Sequence, residues 1–99
     1  GSAEPRTKNL LDFSLTSATT ANGEVTITVR ASGSGAHKFS IRAENLTIDR
    51  PEESVVLRAG RPGVIRWKAR IQAANAPWLA VVIPDDDVAR RREVLYSRH

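Results

Sequence analysis

From Leu11 onward apolar and polar residues alternate with a period of two, the repeat of a strand buried on one side. Leu11, Phe13 and Leu15 share one face, and Asp12, Ser14 and Thr16 the other. The small polar stretch from Ser17 ends in Asn22-Gly23, a turn pair because both residues tolerate positive φ. Val25, Ile27 and Val29 then alternate with Thr26, Thr28 and Arg30, a β-branched run that predicts a second strand. Ser32-Gly33-Ser34-Gly35 breaks the pattern as a turn. A third strand is predicted with Phe39, Ile41 and Ala43 inward and Lys38, Ser40 and Arg42 outward. Beyond Asn45 the apolar parity inverts to Leu46 and Ile48, which predicts a bulge or strand break at Glu44–Asn45.

Arg50-Pro51-Glu52-Glu53 reads as the next turn, followed by a short strand over 54–59 with Val55 and Leu57 inward. Gly60-Arg61-Pro62-Gly63 is again turn chemistry. The longest predicted strand covers 64–73, with Ile65, Trp67, Ala69, Ile71 and Ala73 inward and Arg66, Lys68, Arg70 and Gln72 outward. After Asn75-Ala76-Pro77, the segment 78–83 is apolar on both faces, as a central strand covered from two sides would be. Pro84 and Asp85-Asp86-Asp87 end it, and 92–98 reads as a last strand carrying Val94 and Tyr96. For 85–96 a helix capped by Asp87 competes with a hairpin. Its apolar face would hold only Val88 and Val94 or Leu95, so the hairpin is preferred. Short strands spaced near ten residues apart predict an all-β antiparallel sandwich or barrel, with Trp67 and Trp78 anchoring an aliphatic core.

The 99-residue length fits one domain, and 40% hydrophobic with 26% charged residues fits a folded chain rather than a disordered one. Residues 1–9 read as a tag remnant (Gly1-Ser2) and flexible linker, and 10–98 as the single domain. The first fifteen residues hold no apolar stretch of the signal-peptide kind, which suggests a segment of a longer chain or a mature form without its leader. No apolar run approaches the roughly eighteen residues of a membrane span. With no Cys, disulfides, thiolate metal sites, Cys nucleophiles and blue-copper ligand sets are excluded. Asn45-Leu46-Thr47 matches an N-glycosylation sequon, a triplet frequent by chance.

Lys+Arg number 15 against 11 Asp+Glu, a net +4, and nearly all the cations are Arg. An Arg-rich basic domain invites polyanions, although outward positions on strands explain the same residues as a solvated face. Arg90-Arg91-Arg92 is the densest cluster and the Arg66, Lys68, Arg70 stripe a second. Nucleic-acid binding is disfavoured, because Asp85–Asp87 adjoins the cluster and Tyr96 is the one exposed-aromatic candidate. Asp85, Asp86 and Asp87 offer oxygen ligands for calcium, but without EF-hand spacing they read as turn carboxylates; no metal or cofactor is expected. His37 with Ser34 or Ser40 is the one pairing suggestive of catalysis, and His99 sits at the terminus. No nucleophile elbow, P-loop, HExxH or GxGxxG accompanies it, so no enzyme is expected.

A Ser-Gly-rich turn, Leu57-Arg58-Ala59-Gly60 and the Trp-bearing Val64-Ile65-Arg66-Trp67 follow one another in this order. Over residues 11–97 the chain resembles the Ig-like or fibronectin-like accessory domains of secreted bacterial hydrolases. The resemblance implies an antiparallel Ig-like β-sandwich of seven or eight strands, extracytoplasmic and noncatalytic, and it transfers no functional residues. The antibody-type Cys–Trp–Cys spacing is lacking. The expected function is an interaction or spacer module packing on a neighbouring domain or a protein partner. Trp78 and Tyr96 are its expected contact residues, with Arg90, Arg91 and Arg92 as the polar rim. The alternative is carbohydrate or polyanion binding by the same basic and aromatic set.

Overall fold

The computed structural model describes residues 11–84 and the backbone of 93–97. Every element among them is a strand: β1 (Leu11–Thr19), β2 (Glu24–Gly33), β3 (Gly35–Glu44), β4 (Leu46–Ile48), β5 (Glu52–Leu57), β6 (Gly63–Ile71), β7 (Trp78–Pro84) and β8 (Glu93–Ser97). They form two four-stranded sheets, ordered β1-β2-β6-β4 and β5-β3-β7-β8, with all pairings antiparallel.

The alternation read from the sequence sets which side of each sheet is dry. Val25, Ile27, Val29, Ile65, Trp67 and Ala69 of the first sheet are buried, as are Phe39, Ile41, Leu57, Trp78, Ala80 and Val82 of the second. They belong to one core, enclosed between the sheets. Phe13 of β1 meets Phe39 of β3 edge to face, with centroids 5.2 Å apart and rings inclined at 74°, so one aromatic pair joins the two layers. The indole nitrogens of Trp67 and Trp78 are buried with no hydrogen-bond partner among the described residues, so both tryptophans act through apolar area alone.

The chain changes sheets at local devices. Between β2 and β3 only Ser34 intervenes, flanked by Gly33 at φ 141° and Gly35 at φ 91°. Both angles disfavour an L side chain, which explains the glycine-rich run. The β5–β6 turn brings Gly63 against β5, where a Cβ would lie 2.7 Å from both Leu57 Cδ2 and Val55 Cγ2. Leu57 is buried and Val55 is stiff at χ1, so neither gives way cheaply. Gly63→Ala is therefore expected to cost about 1–3 kcal/mol in urea unfolding, and an unchanged midpoint would show that the two sheets can shift apart here.

The parity inversion beyond Glu44 is a sheet switch, a larger event than a bulge: β3 pairs with β7 in one sheet, whereas β4 pairs with β6 in the other. Two expectations are corrected. Ala73 is exposed rather than inward, because β6 ends at Ile71. Strand β7 is not fully buried on both sides; Trp78, Ala80 and Val82 are buried, while Leu79, Val81 and Ile83 on the opposite side are half-buried. β8 pairs antiparallel with β7, as the hairpin reading of the C-terminal segment requires. Residues 1–9, read from the sequence as a linker, and Asp85–Asp87 lie outside the described residues.

Candidate functional site

Trp78, expected at a contact surface, is 2% exposed and belongs to the core. It pairs through its backbone with Ser97, and its inward parity is shared by Ala80 and Val82. The backbone of Tyr96 pairs with Leu79 in the β7–β8 ladder. Arg90, Arg91 and Arg92 lie outside the described residues. Of the expected set, Trp78 is thus removed from the surface, and Tyr96 is placed beside residues the sequence had assigned to a covered strand.

The outer side of the second sheet carries Leu79, Val81 and Ile83 in a row on β7. Their cross-strand neighbours on β3 are Glu44, Arg42 and Ser40. On the other side, Leu79 and Val81 pair through the backbone with Tyr96 and Val94 of β8. Val56 on β5 is 67% exposed and stands opposite Ala36 on β3. An aliphatic row therefore runs along this sheet, bordered by Arg42 and by the Lys38–Glu52 ion pair at 3.9 Å.

The outer side of the first sheet has the opposite chemistry. Ser14, Thr16, Thr26 and Thr28 surround Arg30 on β2 and Arg66, Lys68 and Arg70 on β6. Val64, 42% exposed and opposite Arg30, is its large exposed aliphatic residue. Arg70 is engaged by Glu24 at 3.3 Å.

His37 is 3% exposed, and its Nε2–H donates to the carbonyl of Ser34 at 2.8 Å. That bond goes to the main chain rather than to a hydroxyl, and fastens the corner between β2 and β3. Ser40 has the opposite parity on β3 and points away from the core side that His37 occupies. No group of three or more His, Asp or Glu among the described residues is placed to hold a metal ion.

Asn45 is the residue whose role the sequence concealed. It sits at φ 65°, the left-handed region that Asn tolerates better than most residues. Its Nδ2 donates to the carbonyls of Ala73 (2.9 Å), Ala76 (3.0 Å) and Pro77 (3.3 Å), and its Oδ1 accepts from Ala73 N–H at 2.7 Å. Its own carbonyl accepts from Gln72 N–H at 3.1 Å. The side chain thus ties the sheet switch to the β6–β7 loop. Glycosylation at the Asn45-Leu46-Thr47 sequon would take one of the two Nδ2 hydrogens these bonds use, so the folded domain opposes that modification.

Comparison of the chain with protein-family models, with curated proteins and with solved structures finds no match. The fold defines the class at the level of two antiparallel sheets around one core.

Proposed function

We propose that the chain is a noncatalytic, Ig-like β-sandwich module of a larger, exported bacterial protein, and that it works by contact with a neighbouring domain or protein partner. The strand order supports the Ig-like reading. β2 and β6 occupy the middle of one sheet and β3 and β7 the middle of the other, as strands B, E, C and F do in that architecture. One departure is visible: the strand beside β6 precedes, rather than follows, the strand beside β3.

The observation that carries the contact reading is the half-buried aliphatic row of Leu79, Val81 and Ile83 on the outer side of a central strand. An antiparallel sheet that faces water on one side ordinarily shows polar residues there, as the first sheet does. A contiguous apolar patch with a polar rim is the usual mark of an interface. The surface is thus moved from Trp78 to the outward residues of β7, with Tyr96 kept beside them in register and Arg42 on the rim.

Because the chain has no Cys, single cysteines can carry a photo-crosslinker without background. In the full-length parent protein, a label at Arg42→Cys is expected to crosslink to the adjacent domain or partner, and one at Ser14→Cys, on the first sheet, is not. Crosslinks from position 14 alone, or from neither, would contradict the assignment.

A further inference from the structure

Both sheets carry outward cations, and Arg42 on the second forms no ion pair among the described residues. On the second sheet Lys38 is paired with Glu52. On the first, Arg70 is paired with Glu24, but Arg30, Arg66 and Lys68 form no ion pair among the described residues. Strand geometry places Arg66 and Lys68 on the same side, about 7 Å apart along β6. Arg30 is diagonal to Arg66, because Thr28 pairs with Arg66 and Arg30 with Val64. Three like charges therefore lie on one face of the sheet. Asp49 and Glu53 line a hollow beside Arg66 and Lys68, although neither comes within ion-pair distance of them.

The flanking residues are Ser14 and Thr16 on β1, with Asp12 diagonal to Arg30, and Thr26 and Thr28 on β2. At the lower end of the row a groove of about 440 Å³ opens between Thr26, Lys68 and Arg70 on one side and Thr47 and Asp49 on the other. Asp49 makes no ion pair with Lys68 or Arg70 among the described residues, and with Glu24 it lends the groove acceptors as well as donors. We infer that this face binds a linear acidic polysaccharide, with Arg30, Arg66 and Lys68 meeting sulfate or carboxylate groups and the Thr-lined groove meeting sugar hydroxyls.

The chemistry favours a saccharide over single-stranded nucleic acid. Base stacking needs exposed aromatic rings; among the described side chains Phe13, Phe39, Trp67 and Trp78 are all buried, and Tyr96 belongs to a strand of the other sheet. Arg suits the role, since its planar fork meets oxyanions with two parallel hydrogen bonds. The site does not depend on the contact proposed for the second sheet, which lies on the opposite side of the core.

The test compares two triple variants of equal charge in titrations against a fluorescent heparin octasaccharide at near-physiological salt. Arg30→Gln/Arg66→Gln/Lys68→Gln is expected to weaken binding at least about tenfold and to flatten its salt dependence. The control Arg42→Gln/Arg58→Gln/Arg61→Gln, all at exposed positions elsewhere, is expected to change it by less than about threefold. Equal losses in the two variants would reduce the effect to net charge and overturn the assignment. So would the absence of binding, or tighter binding of an oligothymidine of matched charge. Circular dichroism of each variant confirms that the sheets are intact.

Discussion

Phe39→Ala is expected to lower the unfolding free energy by about 3–5 kcal/mol, the usual cost of emptying a large aromatic site in a core. Phe39 is fully buried and sits in β3 between β5 and β7, so the cavity opens where neither neighbouring strand is free to collapse. It also abolishes the edge-to-face contact with Phe13, the aromatic link between the two sheets. A domain of this length is typically stable by only about 5–15 kcal/mol, so the single change is a large fraction of the total. Urea unfolding followed by tryptophan fluorescence measures it directly, since Trp67 and Trp78 are both buried. A double-mutant cycle with Phe13→Ala should return a coupling of about 0.5–1.5 kcal/mol. A coupling near zero would mean that the rings merely fill space.

The second large effect is expected at Asn45. Asn45→Ala removes the acceptor for Ala73 N–H and the donor shared by the carbonyls of Ala73 and Ala76, and places a Cβ-bearing residue with no compensating bond at φ 65°. Losing the bonds and paying the left-handed penalty together should cost about 2–4 kcal/mol. Asn45→Gly separates the two terms. It loses the same bonds but adopts the backbone angle freely, and should be about 1 kcal/mol more stable than the alanine variant. Asn45→Asp keeps an acceptor for Ala73 N–H but sets a carboxylate against the carbonyl oxygens of Ala73, Ala76 and Pro77, and should be destabilised despite its similar shape. If the alanine and glycine variants unfold at the same urea concentration, the positive φ contributes nothing.

The same residue shows where sequence reading stops. Side-chain parity made the strands legible and located the discontinuity at Glu44–Asn45, because a one-residue slip is visible in any alternating pattern. It could not reveal that the chain leaves one sheet for the other there, since alternation records inside and outside but not which layer. Nor could it reveal the clamp, because its partners lie about thirty residues away in a loop with no pattern of its own. That clamp also explains the misplaced Ala73, which the alternation carried inward but Asn45 holds in the turn beyond β6. Strand β7 was ambiguous for a different reason. An uninterrupted apolar run has no parity contrast, so Trp78 could be assigned to either side. The structure puts the largest ring inside beside Ala80, a small residue that leaves room for it, and leaves Leu79, Val81 and Ile83 facing out.

Hydroxyl-radical footprinting tests most directly whether the second sheet is the contacting face. The isolated chain and the longer protein of which it is proposed to be a module are oxidised side by side. Leu79, Val81, Ile83 and Val56 are expected to react several-fold more slowly in the parent, while Val64, exposed on the first sheet, reacts equally in both. Equal reactivity of the β7 residues in the two samples, or protection of Val64 in their place, would contradict the assignment.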